Sequence, residues 1–366
     1  MASPTPRKTA PDVPPRERHA KRQLALGLLT ITLVLVSGFG AAELGLRIAD
    51  RFGWIHLWSD LRQARESSIW TLSPDPRLIY LHRPDYVTDD TRHTESHGIL
   101  RPTNVELKPG SDVYRFAVLG DSVAAALDLP YEQRMFTLVE HLLVDSVDSS
   151  SLEVLNFAVN GYSTGQQATL LETLVRDYDP DLLILQFCMN DFHPTRFPAK
   201  WFLEYPRSYV LTLGKFVLDR RLLDGYPQAD YWRGSFLNDH QGWASVVDGF
   251  DRISKYARSR DIPVLVVVFP LLSQNGWHEA DAAGRHARVV ELGRSLGMET
   301  LDLLPILSQH PVEELRRKPW DTFHLNAEGH RIVAAEIART IQKISTSATR
   351  LDDGSPRHLN PPIPSS

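Results

Sequence analysis

Tyr114-Arg115-Phe116-Ala117-Val118-Leu119-Gly120-Asp121-Ser122 is the stretch that decides the fold. A short, mostly apolar run of strand-forming residues reaches a glycine, an acid and a serine, after which the pattern turns helical. Four similar runs follow, at Glu153–Val159, Asp181–Phe187, Pro263–Phe269 and Glu299–Leu303. Stretches of helical period lie between them at Phe136–Val147, Gln166–Asp177, Trp243–Arg260 and Ala280–Leu296, with a last one at Ala327–Ile344. Strands that alternate with helices are joined by right-handed crossovers into a parallel sheet covered on both faces. The sequence therefore predicts an α/β fold, a three-layer α/β/α sandwich with a parallel sheet, over residues 112–345.

The Gly120-Asp121-Ser122 junction presents a serine above the carboxyl edge of that sheet, with its amide at a helix start, where N–H groups and the helix dipole favour an oxyanion. Gly120 allows a tight exit from the strand, and Asp121 can brace the turn through its carboxylate. A plain capped turn has the same local sequence, so the junction gains meaning only with a base. Asp321-Thr322-Phe323-His324-Leu325-Asn326, just before the last helix, supplies one. A serine nucleophile needs a histidine, and the histidine needs an acceptor to orient its ring; Asp321 and His324 offer both on one loop, with Asn326 as the expected N-cap. Two further segments end strands beside the serine: Asn160-Gly161-Tyr162-Ser163 and Met189-Asn190-Asp191. The Gly161 amide and the Asn190 carboxamide are the kinds of donor an oxyanion hole uses. A turn glycine and a capping asparagine are the alternatives.

Taken in this order, the four segments resemble the signature blocks of the SGNH hydrolase superfamily, the GDSL-type esterases and lipases, over about residues 113–345. The resemblance implies a flavodoxin-like fold, Ser122 as nucleophile, His324 as base and Asp321 as its partner. It implies an oxyanion hole formed by the Ser122 and Gly161 amides and the Asn190 side chain, and no cofactor or metal. Two positions depart from the family pattern. Cys188 stands two residues before Asn190, where a glycine is usual, and Ala126 stands four residues after Ser122, where another glycine is common. Neither supplies a reacting group, so the expectation is an altered pocket shape with the chemistry retained. Cys188 is also readable as a second nucleophile, although a half-buried cysteine at a strand end is usually inert.

The chemistry implied is two-step acyl transfer from an ester, and the substrates that fit are acyl esters, lipids or acetylated glycans. Loss of one oxyanion donor, as in Asn190→Ala, should cost on the order of 10²–10³ in turnover. An O-acyltransferase acting on extracytoplasmic glycans would use the same residues, and a non-catalytic, membrane-tethered binding protein could retain the fold.

Outside this domain, Leu24 to Ala42 is a run of nineteen residues without a charge, enough to cross a hydrocarbon core of about 30 Å as a helix. The reading is a basic arm over 1–22, a signal anchor over 23–43, a juxtamembrane and lead-in segment over 44–111, and a disordered tail over 346–366. A cleaved signal peptide is the rival, since Gly40-Ala41-Ala42 is small enough to cut, but such apolar regions usually run only about 7–15 residues. Six basic residues against Asp12 and Glu17 in the arm predict a cytoplasmic N-terminus and an extracytoplasmic domain, periplasmic or extracellular. Trp54 and Trp58 suit either a membrane interface or a core. No later apolar run is as long, so the chain reads as single-pass. The segment 67–112 reads as irregular, with a hairpin. Residues 192–242 carry eleven aromatic residues and read as a substrate wall or lid, or as a small helical subdomain packed on the sheet. A net charge of −5 and a pI near 6.3 exclude general attraction for nucleic acid, and one cysteine excludes an internal disulfide framework.

Overall fold

The computed structural model describes residues 15–55, 68–110, 113–144, 152–191, 208–214, 240–273, 276–277 and 284–349. They belong to two compact units, one formed by Met1–Ser67 with Tyr205–Gly225 and the other by Ser68–Glu204 with Tyr226–Ser366.

In the first unit, α1 runs from Pro15 to Arg51. Its segment Arg22–Arg51 contains an 18-residue stretch with a mean hydropathy of 2.1 and is long and apolar enough to cross a membrane. The helix continues past the expected end of the anchor at Glu43 because nothing there breaks it, and Glu43 pairs with Arg47 one turn on at 2.7 Å. Glu43 also receives residues 208–214. Its carboxylate accepts the amides of Tyr209 and Val210, each at 3.0 Å, and the Ser208 hydroxyl at 2.9 Å. The Tyr209 hydroxyl donates to Asp50 at 3.1 Å, and the Arg47 guanidinium lies 4.8 Å from the Tyr209 ring centroid. Of the aromatic insertion, residues 208–214 therefore pack on α1, 240–242 begin a helix of the second unit, and 192–207 and 215–239 lie outside the described residues. Trp54 is 74% exposed and stacks on Phe52, which excludes a core role for it. Trp58 and the 350–366 part of the tail lie outside the described residues.

The second unit opens with two small hairpins, β1 (Trp70–Leu72) with β2 (Tyr80–His82) and β3 (Val87–Thr88) with β4 (Thr91–Arg92). The main sheet follows: β5 (Tyr114–Leu119), α2 (Ser122–Ala125), α3 (Met135–Val144), β6 (Leu152–Asn156), α4 (Thr164–Thr173), β7 (Leu182–Phe187), α5 (His240–Arg258), β8 (Val264–Val268), α6 (Arg285–Ser295), β9 (Glu299–Asp302), the single turns α7 (Leu304–Leu307) and α8 (Val312–Leu315), and α9 (Ala327–Thr349). The sheet is wholly parallel in the order β6-β5-β7-β8-β9. Strand order reverses at β5, and in such sheets ligands bind at the carboxyl ends of the strands beside that reversal.

Alternation along the strands sends residues to two separate cores. Ala117, Leu119, Leu183, Leu185, Phe187 and Val266 face one, covered by α4, α5 and α6; Phe116, Val118, Leu182, Ile184 and Val267 face the other, covered by α3 and α9. Burial on both faces is why these strands read as continuous apolar runs. From Ser68 onward the lead-in belongs to the same unit, since Leu78, Tyr80, Ile99 and Val105 join the first core and Ile69 and Leu100 the second. Arg115, 1% exposed, ties it down: its guanidinium donates to Glu153 on β6 and to the carbonyls of Leu107 and Tyr178.

Candidate active site

The strand-to-helix junction forms because Gly120 leaves room for the side chains of Gln186 and Ala124 against the backbone. A Cβ at this position would lie 2.6 Å from the Gln186 Oε1 and 2.7 Å from the Ala124 Cβ. Gln186, the one polar side chain of β7, accepts the Asp121 amide at 2.9 Å. Asp121 then N-caps α2, its Oδ1 accepting the Val123 amide at 2.9 Å. Its second oxygen accepts the Asn190 carboxamide Nδ2 at 2.6 Å. One buried carboxylate thus fixes both the turn that presents Ser122 and the side chain proposed as an oxyanion donor.

The helix after Ser122 is a single turn, too short for a sizeable macrodipole, which leaves the Ser122 amide itself as the donor at this junction. It ends at Ala126, which adopts φ 45, ψ 42 in the left-handed region. That conformation accounts for the glycine common at this position, because a Cβ costs about 1–2 kcal/mol there. Ala126→Gly is expected to raise stability by up to about 1 kcal/mol, the relief of strain outweighing the extra freedom of the unfolded chain; urea melts of the two proteins measure it.

The structure brings Ser122, His324 and Asp321 together. The Ser122 Oγ is 2.9 Å from the His324 Nε2, and the His324 Nδ1 is 3.0 Å from each Asp321 oxygen. Asp321 also accepts the amides of Phe323 and His324, at 3.1 and 3.0 Å. Burial alone would raise its carboxyl, but these two amides and the imidazole outweigh that and hold it below the usual carboxylate range. Asn326 caps α9 as expected, accepting the Gly329 amide at 3.0 Å. His330, one turn into α9, is buried and accepts the Met135 amide at 3.0 Å; burial, with His324 and Arg134 nearby, pulls it down to about 3, so it stays neutral.

Gly161 sits in the turn after β6 with φ 79, and Asn190 in the turn after β7. Cys188 is fully buried in the second core, and burial together with Asp121 and Asp191 pushes its thiol well above the ordinary range, which leaves no thiolate to act as a nucleophile. Asp191 is buried as well, pushed well above the usual carboxyl range, and accepts the Thr164 hydroxyl and the Gln167 amide nitrogen at 3.1 and 3.0 Å. Sequence reasoning missed Gln186 and the second bond of Asp121; the lone polar residue in an apolar strand was the available signal. Among the described residues, no group of three His, Cys, Asp or Glu side chains is placed to hold a metal ion.

The chain matches the model of the GDSL-like Lipase/Acylhydrolase family over residues 118–332. No curated protein matches. Among solved structures it is similar to TesA, at 15% identity and a TM-score of 0.42 over 63% of this chain and 99% of that one. An acetyl xylan esterase, AlAXEase, shares 16% identity with a TM-score of 0.44 over 62% and 99% of the two chains. A lipase/acylhydrolase from Enterococcus faecalis shares 16% identity with a TM-score of 0.41 over 63% and 97%. With well over half of its length inside the family match, this chain belongs to the GDSL-like lipase/acylhydrolase family.

Proposed function

We propose that the protein is a membrane-anchored serine ester hydrolase whose second unit works outside the cytoplasm. The observation that carries the catalytic part is the continuous hydrogen-bonded line from Ser122 through His324 to Asp321. His324 takes the Ser122 proton as the oxygen attacks an ester carbonyl. The tetrahedral oxyanion is held by the Ser122 and Gly161 amides and the second N–H of the Asn190 carboxamide, the first being engaged by Asp121. His324 then protonates the leaving alcohol, and water activated by the same imidazole releases the acyl group.

Anchoring is supported by α1, whose apolar length exceeds what a hydrocarbon core of about 30 Å requires, and the basic residues ahead of it support a cytoplasmic N-terminus. The experiment is fluorophosphonate labelling and p-nitrophenyl acetate hydrolysis by the full chain in detergent. Ser122→Ala should abolish both, and a protein that is neither labelled nor active would refute the catalytic reading.

Rate should fall on acidification, since only the neutral imidazole can accept the serine proton. Asp321 does not cause that fall, because its lowered titration keeps it ionised further into acid than an ordinary carboxylate. A rate unchanged between about pH 5 and 8 would remove His324 as the base.

A further inference from the structure

We propose that Tyr80, from the hairpin that precedes the family-matched region, is a positioning residue for the oxyanion hole: its hydroxyl fixes the orientation of the Asn160–Gly161 peptide. The inference rests on the assignment of the Gly161 amide as an oxyanion donor. Tyr80 lies on β2, outside the 118–332 match, and is 3% exposed. Its hydroxyl donates to the carbonyl of Asn160. Tyr162, just after Gly161, donates its own hydroxyl back to the carbonyl of Tyr80, and the two rings meet edge to face at 5.5 Å. Trp70, across the hairpin, packs on Tyr80 at 6.1 Å. Strand β2 is thereby bonded to the turn on both sides of Gly161.

The turn itself shows why such a bond matters. The Tyr162 amide donates to the Val159 carbonyl at 3.0 Å, so Val159 to Tyr162 form a β-turn with Gly161 at its third position. Gly161 has φ 79, and Asn160 is not among the residues of positive φ, which is the pattern of a type II turn. Type I and type II turns share that closing hydrogen bond and differ by a half-turn of the central peptide. Here the central peptide is Asn160–Gly161, so the closing bond leaves the direction of the Gly161 N–H unfixed. A donor on the Asn160 oxygen fixes it, because the carbonyl and the N–H are opposite ends of one rigid plane. The same bond polarises the peptide and strengthens its N–H as a donor.

The test compares two hydroxyl deletions in the full chain in detergent. Tyr80→Phe keeps the ring and its packing, and it should lower kcat about tenfold with KM within about twofold, a fraction of the ~10²–10³ for loss of a whole donor. Affinity for a boronic acid, whose adduct with Ser122 carries the tetrahedral oxygen, should fall by the same factor. Tyr162→Phe removes a buried hydroxyl that does not touch Asn160; it should lower the melting temperature at least as much while leaving kcat within about threefold. That contrast supports positioning. Equal losses of kcat in the two variants, tracking their melting temperatures, would mean a structural role and overturn it. A Tyr80→Phe protein with unchanged kcat and boronate affinity also overturns it, provided Ser122→Ala is inactive. An active Ser122→Ala protein instead removes the catalytic reading on which the inference stands.

Discussion

Ester turnover by Ser122→Ala is expected to fall by about 10⁴-fold or more, and His324→Ala to fall by a similar amount. The two losses should not multiply. The Ser122 oxygen is a weak nucleophile until the His324 Nε2, 2.9 Å away, accepts its proton, and the imidazole has no other task in the first step. Once either partner is gone the other contributes nothing, so the double variant should be no slower than the worse single one. Turnover of p-nitrophenyl acetate by the three proteins, each checked for an unchanged melting temperature, measures this. A double variant slower by the product of the single losses would show that the two side chains act separately.

Asp321→Asn is expected to cost about 10⁴ in kcat while the fold survives. Its retained Oδ1 could still accept the amides of Phe323 and His324, which hold the loop. The new NH₂ group, however, would face the His324 Nδ1 where a carboxylate oxygen now lies at 3.0 Å. A donor there favours the tautomer protonated on Nε2, which points a proton at Ser122 and cannot remove one. Asp321→Ala should lose a comparable amount of activity and, with its two amide caps gone, more stability as well. Kinetics paired with thermal melts separate the two effects; retention of more than about a tenth of wild-type kcat in Asp321→Asn would deny Asp321 the orienting role.

The parts legible in the sequence were those set by short-range rules. The five strands sit within a few residues of the apolar runs that announced them, because both faces of the sheet are covered and most of the strand side chains are buried and apolar. Ser122 and the Asp321–His324 pair could be read because each occupies a strand end or a helix start, where local geometry constrains residue choice. What could not be read depends on distant chain segments. Tyr80 and Asn160 are eighty positions apart, and no periodicity links a hairpin residue to a turn on the sheet edge. The bond between Asp121 and Asn190 spans sixty-nine. The place of residues 208–214 was illegible for the same reason: their partner, Glu43, reads in the sequence only as the charge that ends an apolar run.

That attachment to Glu43 bears on how the protein can be handled. The boundary between the units cuts the chain at 67/68, at 204/205 and at 225/226. A soluble version made by deleting the N-terminal helix alone would leave the Ser208 hydroxyl and the Tyr209 and Val210 amides without the carboxylate that accepts them, beside a Leu211 already 58% exposed. A soluble form of the enzyme therefore calls for removing the helix together with the 208–214 segment that its Glu43 holds.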